Sequence, residues 1–104
     1  MPLVHVVLVS FHDHVPPERR EELRTKQNAL GERCGGRDAG ILAWRSDYNL
    51  DQRKNYHLMQ FSVFRDRDAF ERFRVHSAHT ELGAEMRELA DWVVGDLEAD
   101  MPAI

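Results

Sequence analysis

A chain of 104 residues with a net charge of −4 and 31% charged residues of both signs is sized for one domain. It lacks the basic excess of a nucleic-acid-binding surface, and no apolar run approaches the roughly 20 residues needed to cross a bilayer. Its single cysteine, Cys34, forbids an internal disulfide and fits a reducing cytoplasm. The apolar start contains His5 and has neither a basic segment nor a small-residue cleavage site, which argues against a signal peptide.

Residues 3–11 (LVHVVLVSF) are apolar almost throughout and predict a strand buried on both faces. Residues 12–15 form a loop. Pro16-Pro17-Glu18 starts a helix, with proline in the first turn and acid at the positive dipole end. The helix runs to about Arg33 along a thin inward line of Leu23, Gln27, Leu30 and Cys34, and Gly35-Gly36 end it.

Residues 41–48 predict a second strand and 49–55 a polar turn. A third strand covers 56–64, with His57, Met59, Phe61 and Val63 on one face and Leu58, Gln60, Ser62 and Phe64 on the other. Asp66 or Asp68 can cap a second helix lined by Ala69, Phe70 and Phe73. His76-Ser77-Ala78-His79 breaks it. A third helix, with Ser77 as its cap, turns Leu82, Met86 and Leu89 inward. Residues 91–97 predict a last strand, and 98–104 read as a tail of the single domain.

The order β-α-β-β-α-α-β is the ferredoxin-like α+β plan, a four-stranded antiparallel sheet with helices on one face. The first and third strands are expected side by side, and parallel to each other, so that His5 and His57 share one end. His5, Val7, Val9, His57, Met59 and Phe61 should then point to the helices, with Phe73, His79 and Leu82 facing them. Leu23, Gln27, His76 and Met86 complete the expected pocket. The first strand is apolar on its other face too. Exposing that face is unfavourable at about 25 cal/mol per Å², so a second copy is the expected cover, in a homodimer that packs sheet to sheet and closes into a barrel.

His5-Val6-Val7-Leu8, Tyr56-His57, the run from Asp68 to Phe73 and His76-Ser77-Ala78-His79, in this order and spacing, resemble the stress-responsive dimeric α/β-barrel (Dabb) family. The last motif usually reads His-Pro-Ala-His, so Ser77 departs from it. The resemblance implies the ferredoxin-like fold and the homodimeric barrel, but not one function. The family includes plant stress proteins, a polyketide cyclase and a hydroxynitrile lyase. Histidines of the cyclase pocket match His5, His57 and His79. Its catalytic tyrosine matches Phe73, which has no hydroxyl, and its aromatic first-helix positions are polar here near Leu23 to Gln27.

His79 is the candidate acid–base. A helix N-terminus disfavours imidazolium, leaving a neutral ring that accepts a proton. The alternative is a buried histidine tying the helix break to the sheet. His5 and His57 are either satisfied core histidines or the groups that polarise a carbonyl oxygen. No carboxylate or cysteine has ligand spacing beside these histidines, and His76-x-x-His79 and His12-Asp13-His14 alone are poor ligand sets, so no metal is expected. No phosphate loop or nucleotide fingerprint is present, and no cofactor is expected. Two classes of function follow. One is a cofactor-free cyclase, lyase or isomerase acting on a small carbonyl, polyketide-like or aromatic compound. The other is a non-catalytic stress-responsive or small-molecule-binding dimer with structural histidines. A cavity between helices and sheet favours the first.

Overall fold

The computed structural model describes residues 1–100. Its elements are β1 (Leu3–Phe11), α1 (Pro17–Arg33), a 3-10 turn (Gly36–Ala39), β2 (Ile41–Tyr48), β3 (Leu58–Phe64), α2 (Arg67–Val75), α3 (Ser77–Leu89) and β4 (Ala90–Glu98). The sheet order is β2-β3-β1-β4, and every neighbouring pair is antiparallel. This is the ferredoxin-like α+β fold expected from the element order. The expected tail is in part strand, because Glu98 closes β4 and Ala99 donates to the Pro2 carbonyl; residues 101–104 lie outside the described residues. No helix among the described residues is long and apolar enough to cross a membrane.

Two expectations about β3 are corrected. β3 is antiparallel to β1, not parallel. The crossover through α1 sets β2 parallel to β1; β3 returns from β2 as a hairpin and inserts between them, so it must oppose both. The second correction is of phase. His5 pairs with Ser62, Val7 with Gln60 and Val9 with Leu58, which turns Leu58, Gln60, Ser62 and Phe64 to the helices. Met59, Phe61 and Val63 therefore lie on the opposite face with Val4, Val6 and Leu8. A one-residue change of phase inverts every side chain.

The core lies between the inner sheet face and the helices. Leu3, Val7, Val9 and Phe11 of β1 pack with Leu58 and Phe64 of β3, Leu23 and Leu30 of α1, Phe73 of α2 and Leu82 and Met86 of α3. Fully burying one such side chain stabilises by about 1.5–3 kcal/mol. α1 approaches β2 closely at Gly31, where an added Cβ would stand 2.6 Å from Cγ of Trp44. There the Trp44 indole donates to the carbonyl of Gln27 at 3.0 Å, which fixes the middle of α1 over the sheet.

Asp66 caps α2 by accepting from the Ala69 N–H. The cap of α3 is His76 rather than Ser77: its ring Nδ1 accepts from the Ala78 N–H at 3.1 Å. Among the described residues no helix covers the outer sheet face. On it Met59, Val93 and Leu97 are 37%, 48% and 58% exposed.

Candidate active site

A cavity of about 610 Å³ lies between the inner sheet face and α1, α2 and α3. Of the residues expected in a pocket, His5, Val7, Gln27, Phe73, His79, Leu82 and Met86 line it. Trp44, Gln60, Phe70, Trp92 and Asp96, none of them expected in a pocket, also line it, as do Arg74 and Arg87, exposed residues at its rim. Six expected members do not reach it. Val9 and Leu23 are completely buried in the core, and Met59 and Phe61 face the other way. His76 and His57 are spent on backbone contacts.

His57 shows how the strand reversal breaks up the expected trio. Its N–H donates to the Val9 carbonyl and its Nδ1 accepts from the Phe11 N–H at 3.0 Å. Its ring stacks on Phe11. The His5 position lies about 20 Å back along β1, at 3.3 Å per residue. Burial pushes the His57 imidazole below its ordinary value, and the Arg20 charge adds to this.

His5 is buried among Phe64, Phe70 and Phe73, with ring centroids 6.3, 5.0 and 6.3 Å away. Its cross-strand partner on β4 is Asp96, and Nδ1 of His5 lies 2.5 Å from Oδ1 of Asp96. An ionised carboxylate only accepts, so Nδ1 carries the proton. Asp96 had a legible signal: the alternation of Trp92, Val94 and Asp96 along the last strand.

His79 stands in the first turn of α3, its ring 4.5 Å from that of Phe73. Nδ1 lies 3.0 Å from the Arg74 carbonyl oxygen. A carbonyl has no proton to give, so Nδ1 donates and Nε2 keeps its lone pair. Burial is the main influence lowering the His79 value; the bond to Arg74 opposes it, and the nearby His5 and Arg74 charges lower it further. The ring is therefore neutral near pH 7 and able to take a proton.

Two carboxamides complete the polar lining. Gln27 accepts from the Ser46 hydroxyl at 2.8 Å and sets its Nε2 3.9 Å from the Met86 sulfur. Gln60, the cross-strand neighbour of Ser46, has a buried Nε2 with no hydrogen-bond partner. Among the described residues, no three His, Cys, Asp or Glu side chains gather as metal ligands. Cys34 is buried, and its thiol is raised chiefly by that burial.

Comparison with known proteins places this geometry. The chain is similar in fold to a dimeric ferredoxin-like protein of unknown function from Thermobifida fusca (19% identity, 95% of this chain and 92% of that chain, TM-score 0.82). It is similar also to a hydroxynitrile lyase from Passiflora edulis (14% identity, 97% of each chain, TM-score 0.78). A third similar structure is SnoaB, a cofactor-independent oxygenase from Streptomyces nogalater (19% identity, 98% of this chain and 96% of that chain, TM-score 0.74). At these identities the likeness shows the fold alone. No curated protein matches the chain. The model of the stress responsive A/B barrel domain matches residues 3–99, nearly the whole chain and every element that builds the cavity, and the chain belongs to that family.

Proposed function

We propose that this protein is a cofactor-independent acid–base catalyst that acts, as a homodimer, on a small carbonyl compound with an apolar or aromatic body. The observation that carries the reading is the bare Nε2 of a neutral His79 on the wall of a cavity large enough for a small molecule. In this reading Nε2 removes a proton from the carbon next to a carbonyl. The C–H electron pair moves into a carbon–carbon double bond, the oxygen gains negative charge, and His79 becomes imidazolium. Return of the proton to the same atom regenerates the substrate, and return to another atom gives isomerisation; attack by the enolate on a second carbonyl of the same molecule, whose oxygen takes the proton back from His79, gives cyclisation. His5, held by Asp96, lines the same cavity. A hydroxynitrile lyase and a cofactor-independent oxygenase have similar folds, which supports a catalytic reading of this one.

The test is proton exchange of phenylacetone in D2O, followed by loss of its methylene signal in the proton NMR spectrum. Wild type should accelerate exchange over buffer. His79→Ala should lose about 10²–10⁴-fold of that acceleration while its circular dichroism stays unchanged. No acceleration by the wild type, or equal acceleration by a folded His79→Ala, removes the reading.

A further inference from the structure

We infer that Gln60, with Gln27 beside it, forms the oxygen subsite of the cavity: two buried carboxamides whose N–H groups receive a carbonyl or enolate oxygen. Gln60 is 2% exposed and lines the cavity, yet its Nε2 has no hydrogen-bond partner among the described residues. A buried donor without a partner destabilises the fold. Leu58 and Phe64, at the two ends of the inward row of β3, are apolar and completely buried, so leucine in place of Gln60 would suit the fold better. The next inward polar residue, Ser62, is satisfied by the His5 carbonyl. Gln60 alone on this strand is left with an unused donor.

Gln27 extends the pattern from the helix side. Its Oε1 accepts from Ser46, the residue paired with Gln60 across β2 and β3. That bond orients the carboxamide and leaves Nε2 against the Met86 sulfur, a weak acceptor. Reversing the amide would set its oxygen against the same sulfur, two acceptors face to face. Two amides that line the cavity, one on the sheet and one on α1, therefore have N–H groups that no oxygen of the described residues accepts. Gln60 needs only a turn about its soft terminal torsion to aim Nε2 into the cavity.

Donors without acceptors select a ligand that brings the acceptor. They reject cations and favour an oxygen on which negative charge collects. Phe73, which packs against His79, offers no hydroxyl to such an oxygen. The inference deepens the proposed carbonyl chemistry, but it is tested by binding alone, without turnover.

The probes are 4-nitrophenol above its ionisation point, as a stand-in for an enolate, and nitrobenzene, which keeps the nitro group but lacks the phenolate oxygen. Wild type should bind the nitrophenolate about tenfold or more tighter than nitrobenzene. Gln60→Leu should abolish that preference with thermal stability unchanged or raised, and Gln60→Met should repeat the result. Gln27→Leu should weaken the preference in part, and His79→Ala should retain it. The subsite is overturned if wild type fails to bind nitrophenolate at millimolar concentration, or if the preference survives in both Gln60 variants. It is overturned equally if both variants lose stability, or if Arg87→Ala alone removes the preference, which assigns the oxygen to the cavity rim. Loss of the preference in the Gln60 variants, in a protein that fails to exchange phenylacetone, leaves the subsite standing and removes only the base.

Discussion

The histidines divide by what their ring nitrogens bond. In His57 and His76 the Nδ1 lone pair receives a backbone N–H, from Phe11 and Ala78. In His5 and His79 the Nδ1 proton is given away, to Asp96 and to the Arg74 carbonyl. The first pair are joints of the backbone, and the second pair keep Nε2 for other work. His57→Ala should therefore strand the Phe11 N–H and cost about 1–3 kcal/mol of stability, measured by urea unfolding, with phenylacetone exchange per folded molecule unchanged. His79→Ala should show the reverse pattern. Both imidazoles are held below their ordinary value of 6.5, chiefly by burial. At pH values above this they are neutral folded or unfolded, and their stability contribution is full. As the pH falls through it, the unfolded chain takes up protons first, and stability declines toward the lowered folded values. The urea midpoint should drop as the pH falls below 6.5, less steeply in His57→Gln.

Elements were legible in this sequence because each is marked by local chemistry: valines for β1, two prolines and an acid for the start of α1, Asp66 for α2. The direction and phase of β3 were not. Both of its faces carry apolar residues, and alternation alone favoured Met59, Phe61 and Val63 as the inner set. The structure buries Gln60 and Ser62 inward, because one borders the cavity and the other bonds the His5 carbonyl. Local rules read a polar residue as outward, and they fail where a cavity uses it. Asp96 went unread for a related reason: parallel strands would set His57 beside His5, whereas the antiparallel pairing puts His57 at the other end of β1 and leaves β4 to supply the neighbour of His5. The contact of α1 with β2 offers a test at this scale. Gly31→Ala should gain up to about 1 kcal/mol of helix propensity. A Cβ 2.6 Å from Trp44 Cγ, however, forces the indole to move, an overpacking cost of about 1–3 kcal/mol. The clash should win, lowering Tm by several degrees in a thermal melt.

The whole molecule is a sheet with one covered face. On the other, Val6 stands between Phe61 and Gly95, and Leu8 between Met59 and Val93, a continuous apolar stripe of the kind that marks an interface. If two copies pair through it, light scattering should give twice the 12.1 kDa chain mass. Val6→Lys should then yield monomer or unfolded chain, since a buried unpaired charge is costly; a clean wild-type monomer sinks the pairing. The His5–Asp96 bond joins residues 91 positions apart, and β1 finds its outer neighbour only in β4. During biosynthesis, then, the helices and the β2–β3 hairpin all emerge before the histidine's carboxylate exists to meet it. Until β4 arrives, one edge of β1 has no sheet partner, and the apolar strand is open to other chains. Long-range closure of this kind slows folding, so the step that completes the candidate active site is also the step that covers the open edge of β1.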